Sequence, residues 1–137
     1  MIVKSIKIIN CKIIKNKKGN ILKYINKRNK FFIKFGEVYF SEIKKKYTKG
    51  WNLHKKNTCL ISVPFGKVIF ATYNPQTKKL IRTILGKNKN KVILIPPGNW
   101  FSFKSISKIS IVSNLMNNIY EKKETEKSNI INNIKID

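Results

Sequence analysis

The sequence predicts an all-β fold, a double-sheet barrel or sandwich, and three observations carry the prediction. Short apolar runs rich in Ile, Val, Phe and Tyr recur along the chain, turn residues separate them at regular intervals, and no convincing amphipathic helix precedes residue 115. Roughly ten such runs suit two packed antiparallel sheets, and closing them into a barrel leaves few unpaired edges.

Each element has its own local reason. Ile6 to Ile14 alternates apolar and polar residues, Ile21 to Ile25 follows a Lys-Lys-Gly-Asn turn, and Phe31 to Phe35 runs into Gly36. Glu37 to Ile43 and Cys59 to Val63 read as strands. The Pro64-Phe65-Gly66-Lys67 turn then leads into Val68 to Tyr73. After Asn74-Pro75-Gln76 come Leu80 to Leu85, a polar turn over Gly86 to Lys91, Val92 to Ile95, Pro96-Pro97-Gly98, Trp100 to Phe103, and Lys108 to Leu115. Residues 1–119 are expected to form one barrel. Residues 120–137 turn polar, with Glu121, Glu124 and Glu126 supplying half of the six acidic side chains, and are expected to be a tail or a short helix.

A chain of 137 residues with 42% hydrophobic side chains can bury one core, which excludes a disordered chain. Lysines interrupt every apolar stretch well short of the roughly 20 residues of a membrane-spanning helix, and the first residues lack the apolar centre of a secretory signal. A cytoplasmic protein is expected. Cys11 and Cys59 stand without a C-x-x-C spacing and predict two reduced thiols.

The net charge of +24 points towards polyanions, but only Arg28 and Arg82 are arginines, and base or phosphate clamps favour the planar guanidinium fork. Lys, Ile and Asn also share A/T-rich codons. The lysines are therefore expected to be mostly solvated surface, with no specific nucleic-acid site.

Four segments resemble the dTDP-4-dehydrorhamnose 3,5-epimerases, which are cupin-type jelly-roll proteins. They are Asn16-Lys17-Lys18-Gly19-Asn20, Lys49-Gly50-Trp51-Asn52-Leu53-His54 with one extra residue between Gly and His, Phe65-Gly66-Lys67-Val68, and Ile95-Pro96-Pro97-Gly98-Asn99-Trp100-Phe101-Ser102-Phe103. They occur in the family's order across roughly residues 5 to 120. The resemblance implies a homodimer, in which N-terminal strands complete the partner's sheet, acting on nucleotide sugars in surface polysaccharide assembly such as that of lipopolysaccharide.

It also implies a site. In the family a His removes the proton beside a 4-keto group, a Lys stabilises the enolate and a Tyr acts as acid on the opposite face. His54 matches the base, and an imidazole with an ordinary pKa of about 6.5 suits proton abstraction near neutral pH. The Lys falls at Thr58 or Cys59 and the Tyr at Ser113, so neither is kept; Lys55, Lys56 or Lys67 and Tyr73 or Tyr120 are the available substitutes. The carboxylate that orients the base has no clear match. Trp51, Trp100 and Phe103 could stack on a sugar or base, and Lys49 or Arg82 could pair with a diphosphate.

Many cupins hold a metal through several His and a Glu, but His54 is the only histidine and Phe101 occupies the place of the later one, so neither a metal nor another cofactor is expected. Three functions follow from these readings: a sugar-nucleotide epimerase or isomerase, a non-catalytic cupin that binds a sugar nucleotide or partner, and a basic nucleic-acid-binding barrel. The missing Lys and Tyr favour the second, while His54 and the turn motifs suit the first two equally.

Overall fold

The structure is a computed structural model that describes residues 5–86, 89–128 and 136. It is a cupin-type jelly roll of two five-stranded antiparallel sheets. The strands are β1 (Lys7–Asn10), β2 (Ile13–Ile14), β3 (Ile21–Leu22), β4 (Glu37–Lys44), β5 (Thr48–His54), β6 (Cys59–Phe65), β7 (Lys67–Asn74), β8 (Lys79–Gly86), β9 (Lys91–Ile95), β10 (Trp100–Ser105), β11 (Ile109–Met116) and β12 (Thr125–Lys127). One sheet has the order β1-β9-β6-β11-β4 and the other β12-β5-β10-β7-β8, with β2 and β3 forming a separate hairpin.

The core lies between the two sheets. Alternation along each strand sends Ile43, Cys59, Ile61, Val68, Phe70, Leu85, Ile93, Phe101, Phe103, Val112 and Met116 into it. The outer face of the first sheet is not left bare. Tyr24, Ile25 and Phe31 from the segment before β4 pack over Leu60, Val92 and Leu94, and Tyr24 donates its hydroxyl to the Leu60 carbonyl. Phe31 to Phe35, expected as a strand, has no sheet pairing; Phe31 packs into this cover, while Ile33 and Phe35 are exposed.

The outer face of the second sheet holds another apolar cluster, Trp51 and Ala71 with Ile69, Tyr73, Leu80, Trp100 and Ile136. Trp51 stands at a bulge. Asn52 pairs with Phe101 and Gly50 with Ser102, which leaves Trp51 as the extra residue of β5. Gly50 sits there at φ +108, and a Cβ would lie 2.7 Å from the Phe101 carbonyl oxygen, so a side chain is excluded. The extra residue in the Gly50 to His54 motif is thus taken up by this bulge, and β5 still delivers His54 to the inner face.

The polar segment after residue 119 is part of the fold over its described length. Lys122–Glu124 form a 3-10 turn, and Thr125–Lys127 add β12 beside β5 with Thr125 opposite His54. The remainder of the expected tail lies outside the described residues, Ile136 and Ser128 excepted. No lysine or arginine among the described residues is buried, as expected of a solvated basic surface.

Candidate active site

His54, at the end of β5, is 4% exposed and faces into the barrel, where its ring stacks on Phe101 at 6.0 Å between centroids. Phe101 stacks on Phe70 at 5.9 Å and Phe70 on Phe103 at 5.7 Å, so an aromatic column backs the imidazole. The carbonyl of His54 accepts the Gly98 amide at 2.8 Å, which ties the end of β5 to the Pro96-Pro97-Gly98 turn. Two of the four sequence motifs therefore meet at this backbone hydrogen bond.

The carboxylate beside the imidazole is that of Glu124. It is 6% exposed and accepts a hydrogen bond from Nδ1 of His54. Its Oε1 also accepts Nδ2 of Asn57 at 3.0 Å, and its Oε2 accepts the backbone amides of Lys56 at 3.0 Å and Asn57 at 3.3 Å. Burial pushes the carboxyl upwards, but the hydrogen bonds from His54, Lys56 and Asn57 and the charge of His54 outweigh it and hold it at about 2. Glu124 is therefore a carboxylate at neutral pH, and the proton it accepts fixes Nδ1–H on the ring. No hydrogen bond among the described residues reaches Nε2, so the neutral ring carries its lone pair there.

Other polar groups face the same interior from the opposite sheet. Asn114 donates to the Tyr39 hydroxyl at 3.0 Å and lies 3.5 Å from the Cys59 sulfur. Burial raises the Tyr39 phenol, with the Asn114 hydrogen bond opposing, and burial pushes the Cys59 thiol up to about 12. Both are neutral donors. Cys59, one of the two positions at which the resemblance puts the enolate-stabilising Lys, carries no positive charge. Ser113 lies on the outer face beneath the N-terminal segment, because it alternates with the inward-facing Asn114.

The remaining sequence candidates fall elsewhere. Phe103 is buried at the far end of the aromatic column. Trp51 and Trp100 sit on the opposite face of the sheet from His54, because strand alternation turns both rings outwards, so of the three aromatic candidates only Phe103 shares the barrel interior with the histidine. Arg82 pairs in register with outward-facing Ala71 and is exposed. Lys49 is exposed at the other end of β5, beside Thr48 and Tyr47. Of the substitutes for the cation, Lys55 pairs with Glu126 at 3.5 Å, Lys56 lines a cleft of about 500 Å³ that Glu124 also lines, and Lys67 opens β7. Tyr73 belongs to the outer apolar cluster and Tyr120 is exposed.

Among the described residues no group of three or more His, Cys, Asp or Glu could hold a metal ion, and no helix is long and apolar enough to cross a membrane. The one imidazole is already committed at Nδ1 to Glu124. The donor set does not fit a cupin metal centre.

A jelly roll with an inward-facing His–Glu pair defines a cupin-type protein. The chain belongs to the family described as FdtA, WxcM-like, C-terminal, whose model matches residues 4–132. Among solved structures it is similar to a dTDP sugar isomerase from Desulfovibrio desulfuricans G20, with 26% identity, a TM-score of 0.86 and coverage of 92% of this chain and 85% of that one. It is also similar in fold to the 3,4-ketoisomerase QdtA from Thermoanaerobacterium thermosaccharolyticum, at 20% identity and a TM-score of 0.79, covering 93% and 90% of the two chains. A third likeness is to the epimerase RmlC from Legionella pneumophila, at 18% identity and a TM-score of 0.80, covering 89% and 71%. No curated protein matches the chain in sequence. The resemblance to the 3,5-epimerases thus extends to the 3,4-ketoisomerases of the same fold.

Proposed function

We propose that the protein is a sugar-nucleotide isomerase that moves the keto group of a dTDP-4-keto-6-deoxyhexose between neighbouring carbons, with Nε2 of His54 as the base. The observation that carries this reading is the buried His54–Glu124 pair, which holds Nδ1–H in place and leaves a lone pair on Nε2. In the proposed reaction Nε2 takes the proton from C3, and the electron pair moves onto the C4 carbonyl oxygen. The resulting enediolate is protonated on that oxygen, loses the proton of the C3 hydroxyl, and receives the proton from His54 at C4. Nothing is gained or lost, and the keto group now stands at C3.

Isomerisation is favoured over epimerisation by where the acid would have to be. Inversion at a carbon needs a proton donor on the face opposite the base, and the resemblance puts the family's Tyr near Ser113, whose side chain lies outside the barrel. A shift between adjacent carbons needs one imidazole on one face. Tyr39, whose oxygen accepts from Asn114, keeps its own proton for an enolate oxygen and supports this chemistry. The neutral Cys59 at one of the cation's two positions favours the second reading, a cupin that binds the sugar nucleotide without turning it over.

The role in surface polysaccharide assembly belongs to the same proposal, because 6-deoxyhexoses are donated from such nucleotides. The test is incubation with dTDP-4-keto-6-deoxyglucose followed by NMR of the product. A 3-keto sugar is the expected result. An epimer would overturn the isomerase assignment, and binding without product would establish the non-catalytic reading.

A further inference from the structure

The Glu124 carboxylate is held by more than the histidine. Asn57, in the β5–β6 connection, is 1% exposed and spends every side-chain polar atom. Its Oδ1 accepts the Asn118 amide at 2.8 Å, and its Nδ2 donates to Oε1 of Glu124 at 3.0 Å, while its own backbone amide reaches Oε2 at 3.3 Å. The Asn118 contact fixes which end of the amide is oxygen, so Nδ2 must face the carboxylate.

We infer that Asn57 is the positioning residue that selects the tautomer of His54: it locks the rotation of the Glu124 carboxylate so that Oε1 always faces Nδ1. An imidazole free in water prefers the Nε2–H form, which has no lone pair to offer at Nε2. Glu124 alone could rotate and share its oxygens between His54 and the Lys56 amide. With Asn57 and, at 3.4 Å, the Thr125 hydroxyl on Oε1 and two backbone amides on Oε2, each oxygen has its own donors and the carboxylate has one orientation. The charged or titratable groups around this carboxylate are His54, with Lys34, Lys56 and Glu121 lining the same cleft and Cys59 on the interior side. Burial raises the Glu124 carboxyl, and Asn57 is one of the donors that lower it, after His54 and the Lys56 amide. The catalytic meaning of this inference rests on the isomerase reading; the tautomer itself does not.

His54 is the only histidine in the chain, so its ring nitrogens can be assigned in a 15N-labelled sample without ambiguity. In the unmodified protein the neutral ring should be nearly all Nδ1–H. In Asn57→Ala and Asn57→Ser a substantial Nε2–H population should appear, the Glu124 carboxyl should titrate higher, and kcat should fall while KM holds. An unchanged tautomer in either folded variant would overturn the inference, whatever the activity. If neither variant folds, the Asn57 Nδ2 protons of the unmodified protein decide the matter, because they must shift with the Glu124 titration and would stay constant if the contact were absent. A tautomer that responds in a protein without isomerase activity would leave Asn57 in this role and remove the proposed reaction.

Discussion

Glu124 accepts the Nδ1 proton of His54 from 70 positions further along the chain, and the contact joins the C-terminal segment to the heart of the barrel. Losing that carboxylate should therefore cost both stability and chemistry.

The stability effect has a definite sign. The folded Glu124 titrates at about 2 against an ordinary 4.5, so its contribution is complete above the ordinary value and disappears as pH falls from 4.5 through 2. In Glu124→Gln the new amide would point N–H groups at the Lys56 or Asn57 donors. The variant should be less stable at pH 7 by on the order of 2–3 kcal/mol, with the gap closing near pH 2. Urea unfolding at both pH values measures this, and a gap independent of pH would contradict it.

Truncation after residue 119 should remove the same carboxylate and uncover β5, which pairs with β12 in the intact chain. The shortened protein is expected to lose isomerase activity by at least about 100-fold, the scale of a general acid–base contribution. Product formation by NMR checks this; retained activity would mean that Glu124 does not orient the base.

Phe101 supports the other side of the ring. Phe101→Ala should destabilise the barrel by roughly 3–5 kcal/mol, as large-to-small changes in a packed core do. Phe101→Leu should cost less and still lower kcat, because the flat support of the imidazole is gone. Thermal denaturation and initial rates separate the two effects.

Much of the fold was legible in the sequence, and the reason is local. Val68 to Tyr73, Leu80 to Leu85 and Val92 to Ile95 alternate or cluster in strand fashion and end at Gly, Pro or Asn, and each is a strand with nearly those bounds. The strand that carries His54 has no such signature. Lys49, Gly50 and Asn52 are weak strand formers, and pairing with β10 and β12 makes the segment extended. Glu124 was hidden for a similar reason. Its only sequence signal was the acidic cluster at residues 121 to 126 in a basic chain, and nothing local announces a contact with residue 54. Trp51 lies three residues before the inward-facing His54, so alternation alone puts it on the other face of the sheet, and the bulge at Gly50 shifts only the residues before it.

The expected homodimer follows from edges. β1 is a short edge strand with Ile8 half-exposed, and β4, the opposite edge, exposes Val38 and Phe40. Light scattering should give about twice the 16.0 kDa chain mass. A monomer that persists at high concentration would contradict the pairing of strands between copies.

A chain of net charge +24 whose described lysines are all unburied should give weak, salt-sensitive DNA binding. Fluorescence anisotropy with a short duplex should show affinity at low salt that collapses at physiological salt. Tight, sequence-selective binding there would restore the nucleic-acid reading.

The most direct test of the account is solvent deuterium entering the sugar ring of dTDP-4-keto-6-deoxyglucose, followed by NMR for the protein and its His54→Asn variant. With the unmodified protein, deuterium exchanged through His54 is expected at C3 of the recovered substrate and at C4 of the product, and essentially none with the variant, while binding of the nucleotide sugar stays within a few-fold. Label incorporated by the variant at the unmodified rate would show that His54 is not the base.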